Sequence, residues 1–109
     1  MNKKQEFVIL MQEETGYKFI TTFWQDFSIA DKFGIDAIKD TYTRAVDEWK
    51  HNYKYMTELI MVLNWKSFEW YNKNKNYSQT YGELYYELDA YCIEHFSEEE
   101  QKYYFSVTD

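Results

Sequence analysis

The sequence predicts a mostly α fold: a small antiparallel bundle of four or five helices, with a short β-hairpin at the N-terminus. Three observations carry that reading. Twelve Tyr, eight Phe and four Trp make up 22% of the 109 residues, enough ring surface to close a core without a covalent staple. There is no Pro and only three Gly, which excludes collagen-like, linker-rich and most turn-rich all-β designs. From Thr22 onward the apolar residues recur three and four apart, the helical rhythm. The aromatic content also excludes intrinsic disorder, and a single cysteine excludes an internal disulfide. A chain this short has room for one domain, read here as an appendage over residues 1–21 and a helical core over 22–109.

In the appendage, Phe7-Val8-Ile9-Leu10-Met11 is a short apolar run, Glu13-Glu14-Thr15-Gly16 has turn composition, and Tyr17 to Phe23 is rich in strand formers. A hairpin is the preferred reading, with a helix over residues 3–13 as its rival. The apolar run is too short for a signal-peptide core, and no run has the length of a membrane span. A cytoplasmic location is the resulting expectation, and the Asn76-Tyr77-Ser78 sequon is read as chance.

Thr22-Phe23-Trp24-Gln25 has the form of a capping box opening the first core helix. Phe23, Phe27, Ala30 and Phe33 then share a face, and Gly34 is the expected stop. Ile35, Ile38, Tyr42, Ala45 and Trp49 form the next stripe, with Asp36 and Asp40 near the positive end of the helix dipole. Tyr53, Met56, Ile60, Leu63, Ser67 and Trp70 continue the same rhythm without losing phase. One helix over 35–73 would be about 58 Å long, too long for a compact domain of this size. A break is therefore expected at Lys50-His51-Asn52, with Asn52 as N-cap. Asn72 to Asn76 reads as a loop, and Ser78 or Thr80 as the start of a helix whose buried face is Tyr77, Tyr81, Leu84, Leu88, Tyr91 and His95. Ser97-Glu98-Glu99-Glu100 is a capping box for a last short helix through Tyr103 and Tyr104.

Charge is distributed unevenly. Residues 78–109 carry one Lys against eight acids, an excess equal to the net −7 of the whole chain. Glu83, Glu87 and Glu94 recur four and seven apart beside Tyr86. Such a stripe is either a solvated face that keeps the chain soluble or a surface that docks a basic partner. The functional expectation is a non-enzymatic protein-interaction module binding a host or self partner through Glu83, Tyr86, Glu87 and Glu94. The middle of the chain is basic by contrast: Lys66, Lys73 and Lys75 lie among Trp65, Trp70, Tyr71 and Tyr77, the interleaving used by single-strand nucleic-acid surfaces. Against that stands the overall negative charge, so nucleic-acid binding is the weaker expectation.

Metal or catalytic sites have thin support. Glu48 and His51 form one Glu-x-x-His, where a di-iron bundle needs two. Cys92, His95 and nearby Glu98 offer too few ligands for zinc. A small metal-dependent enzyme using Glu48 and His51, or His95, is the alternative reading. The glycines are too far apart for a phosphate loop, and the sequence gives no sign of a cofactor or small-molecule ligand.

Thr22-Phe-Trp-Gln-Asp-Phe-Ser-Ile-Ala-Asp-Lys-Phe-Gly34 and the run from Ala37 to Asn64 together resemble a family of short uncharacterised proteins from phages and other mobile elements of gut bacteria. The likeness covers residues 22–75 well and the C-terminal third loosely. It implies a bacterial cytoplasm and a mobile-element setting, and carries over no catalytic or binding residue.

Overall fold

Five helices make up the regular structure of residues 19–108, the part of the chain described by the computed structural model: α1 Ile20–Asp31, α2 Ile35–Trp49, α3 Tyr53–Trp70, α4 Lys75–His95 and α5 Glu98–Thr108. Most of the expected hairpin, and its rival helix over 3–13, lie outside the described residues. At its C-terminal end Ile20 to Phe23 are helical rather than extended.

The helix boundaries follow from where each first turn finds an acceptor. α2 and α3 are separate, as the length argument requires. Asn52 is extended, and its side-chain carbonyl accepts from Tyr55 N at 3.1 Å. The Ser97 box closes reciprocally: Ser97 N donates to Glu100 Oε1 at 2.9 Å and Glu100 N to Ser97 Oγ at 3.3 Å. Two starts differ from expectation. α4 begins at Lys75, not at Ser78 or Thr80, because Asn74 Oδ1 accepts from Asn76 N and Tyr77 N at 3.1 and 3.2 Å. The Ser78 hydroxyl donates to Ser67 O on α3, and that of Thr80 to Asn76 O. α1 begins at Ile20, so Thr22 lies inside its first turn and caps nothing; a carboxylate from α3 serves instead.

Cross-helix pairs give the topology. Ser78 meets Ser67 and Tyr53 meets Phe96, so α3 and α4 are antiparallel. Phe19 meets Glu58 and Asp31 meets Lys66, so α1 runs parallel to α3. Tyr53 packs on Tyr103 at 5.3 Å, and Tyr104 reaches Asp89, which sets α5 antiparallel to α4. Consecutive helices therefore alternate in direction, joined by turns of two to four residues.

α3 is the axis of the bundle. Its residues Met56 to Leu63 are all buried, eight in succession, so it is covered on every side and not along a single stripe. Ile20, Phe23 and Phe27 from α1, Ile38 and Tyr42 from α2, Tyr81, Leu84, Leu88 and Cys92 from α4 and Tyr104 from α5 pack with it in one core. The Cα radius of gyration, 13.3 Å, is that of a well-packed chain of this length.

Two residues depart from their expected faces. Phe33 is 78% exposed: α1 ends at Asp31, so the 100° rhythm that would turn Phe33 inward no longer applies. Gly34 then reverses the chain at φ 108° and ψ −175°, a region open essentially to glycine, and its carbonyl receives Ile38 N as α2 begins. His95, the last residue of α4, is exposed. Among the described residues no helix is long and apolar enough to cross a membrane.

Candidate functional site

A connected group of ionisable side chains lies where α1, α3 and α4 meet. Lys66 on α3 is 1% exposed. Its ammonium donates to Ser28 Oγ at 2.6 Å, Asp31 Oδ2 at 3.0 Å and Glu69 Oε2 at 2.9 Å, and lies 4.4 Å from the Trp24 ring centre. All three protons are thus used. Asp31 Oδ2 also accepts from Trp70 Nε1 at 2.9 Å, while Oδ1 accepts from the Tyr81 hydroxyl at 2.5 Å. Burial first, then the hydrogen bond and charge of Asp31, push the Tyr81 phenol above its usual range, so it stays protonated. Each group is held by another of the set. The cluster clamps three helices together and offers no free base or nucleophile.

A second interior carboxylate, Glu58, is 1% exposed. Its Oε1 accepts from Phe19 N at 2.7 Å and Ile20 N at 3.1 Å, placing negative charge at the positive end of α1. Phe19, Trp49 and Tyr55 enclose this corner, with ring centres 4.1 to 4.9 Å apart. A third group joins α4 to α5: the Tyr104 hydroxyl donates to Asp89 Oδ1, beside buried Cys92. Burial, then Asp89, raises the Cys92 thiol to about 12, and burial is also the main cause of the upward shift at Tyr104.

The side chains expected to bind a partner are all on the outside. Glu83, Tyr86, Glu87 and Glu94 are exposed along α4, with Ala90 and Ile93 between the carboxylates. Tyr86 is 73% exposed and rests edge-on against Tyr85 at 5.4 Å. Glu83 accepts from Gln79 Nε2 at 3.2 Å. Glu87 lies close enough to Tyr42 to add to the rise that burial causes in that phenol.

The other candidates are dispersed. Glu48 and His51 are exposed at the end of α2 and in the turn after it. Cys92 is buried while His95 is exposed against the Tyr91 ring at 4.3 Å, so the two do not share an environment. Among the described residues no three His, Cys, Asp or Glu side chains are grouped to hold a metal ion. Lys73 and Lys75 are exposed at the turn between α3 and α4, near exposed Phe68 and Tyr71. Lys66 is not with them; its ammonium is committed to Asp31 and Glu69, which removes it from any nucleic-acid surface.

α1 and α2 leave a groove of about 550 Å³ between their outward sides. Ala30, Ala37 and Ala45 keep it open, Ile29 and Phe33 stand at one end, and Phe19 and Trp49 at the other. Asp26, Asp40 and Glu48 line it, with Arg44 paired to Asp40 at 3.3 Å.

No family model, curated protein or solved structure matches the chain. The reading of its function therefore rests on its own residues.

Sequence reasoning missed the interior carboxylates and Lys66. A usable signal was present. From Met56 to Trp65 apolar side chains occur at every angle around the helix, which marks a helix enclosed by others. Any charge within or beside such a run must find a partner inside the protein. The α1–α2 groove had a fainter signal in the small residues Ala37, Thr41 and Ala45 at spacings of four.

Proposed function

We propose that this chain is a small non-enzymatic protein-interaction module that engages a basic protein partner through the outer face of α4. The observation that carries the reading is that Tyr86, 73% exposed, stands among exposed Glu83, Glu87 and Glu94 on a face of α4 left open by the other described helices. An exposed aromatic ring set among carboxylates suits a partner that supplies Lys or Arg and an apolar contact together. The ionisable cluster around Lys66 is consumed in holding helices, which favours binding over catalysis. The resemblance of residues 22–75 supports a phage or mobile-element origin and a bacterial cytoplasmic setting, where the basic partner is a host protein.

The test is capture from bacterial lysate on the immobilised full chain, beside Tyr86→Ala and the triple variant Glu83→Lys/Glu87→Lys/Glu94→Lys. The expected result is a basic protein retained by the wild type, released by salt and lost in both variants. Equal retention by all three rejects the α4 face.

A further inference from the structure

We infer that the groove between α1 and α2 is a docking site for a basic amphipathic helix from another protein. This surface shares no residue with the α4 face, and the inference does not depend on that reading. The groove's apolar walls end in large side chains left in solvent: Phe33 is 78% exposed and Ile29 55%. An isolated exposed apolar residue needs no explanation, but two flanking one groove do. Its length suits a helix. The α2 wall runs from Ala37 to Trp49, about 18 Å at 1.5 Å per residue. That matches three to four turns of an occupant, or about 12–14 residues. The floor is kept low by Ala30, Ala37 and Ala45, so the occupant's large side chains can enter at the helical spacing of three and four.

Charge selects the occupant. The groove is lined by three carboxylates and one guanidinium, and Arg44 is already paired with Asp40 at 3.3 Å. Asp26 and Glu48 have no ion pair among the described residues, one on each wall. A second copy docking through the same groove would set these carboxylates against their equivalents in a chain of net charge −7. A helix with an apolar stripe flanked by Lys or Arg meets both features together.

Three fluorescent peptides of about 16 residues test this by anisotropy against the full chain: an amphipathic Leu/Lys helix, the same composition with the stripe scrambled, and an amphipathic Leu/Glu helix. The first is expected to bind, and the other two about tenfold or more weakly. Phe33→Ala weakens the first about tenfold, as does Asp26→Lys/Glu48→Lys. Both variants change exposed side chains, and circular dichroism and an unchanged urea midpoint establish that they fold. Glu83→Lys/Glu87→Lys/Glu94→Lys leaves this binding within about twofold. Comparable binding of all three peptides, or binding indifferent to both groove variants, overturns the inference. Loss confined to the α4 triple variant also overturns it and places the peptide on α4. Failure of the Leu/Lys helix to bind, or a dimer in sedimentation that Phe33→Ala dissociates, overturns it as well, the dimer by showing a second copy in the groove.

Discussion

The junction of α1, α3 and α4 and the outer face of α4 use the same kinds of side chain to opposite ends. At the junction buried Lys66 and Tyr81 are matched group by group with Asp31 and the partly buried Glu69. On the outer face Glu83, Glu87, Glu94 and Tyr86 remain in water, where charge costs little and is available to another molecule. Residue type does not separate the two regions; enclosure does. A carboxylate inside must be paired or it destabilises the fold, whereas one outside can be reversed at small cost.

The largest effect is expected at the junction. Lys66→Ala strands Asp31 and part of Glu69 without their cation and should lower stability by about 3–5 kcal/mol in urea unfolding. A loss below about 1 kcal/mol would show that water reaches the cluster. Glu58→Ala is next, at about 2–3 kcal/mol, because the Phe19 and Ile20 amides lose a charged acceptor. Amide exchange should quicken first at the start of α1. Tyr104→Phe removes the hydroxyl that Asp89 accepts from, and about 1–2 kcal/mol with it.

A pH series sharpens the same contrast. Cys92 and the phenols of Tyr42, Tyr81 and Tyr104 have folded values raised by burial, so their protonated forms favour the native state. That stability is whole below the unfolded values and is lost as pH rises, because the unfolded chain releases protons first. The decline begins near pH 8.5–9 with Cys92, at under about 1 kcal/mol by pH 9, and steepens beyond about pH 10 as the tyrosines join. A urea midpoint that rises with alkalinity would contradict it. At pH 8 the Cys92 thiol should react with a disulfide reagent only at the rate of unfolding; rapid labelling of the native chain would show the site open.

The sequence was most legible where local chemistry decides. Asn52 and Ser97 cap as their positions suggest, because an N-cap needs only a side chain and the next few amides. Thr22 has the right chemistry as well but loses to Glu58, 36 positions away, and no local rule could weigh that competitor. Phe33 fails for the opposite reason: a helical stripe has no authority past the last helical residue. The α4 face was legible because exposed carboxylates keep a simple period. Lys66 was misplaced because its neighbours Trp65 and Trp70 resemble a nucleic-acid surface in sequence, while in space Trp70 helps to close the cluster around Asp31.

The most direct measurement is a pair of urea titrations on the full chain, Lys66→Ala beside Glu83→Lys/Glu87→Lys/Glu94→Lys. A steep fall of the midpoint in the first, with a change within about 0.5 kcal/mol in the second, is the outcome expected of interior charges that hold the bundle and exterior charges that do not. Equal losses, or a larger loss in the triple variant, would contradict that division.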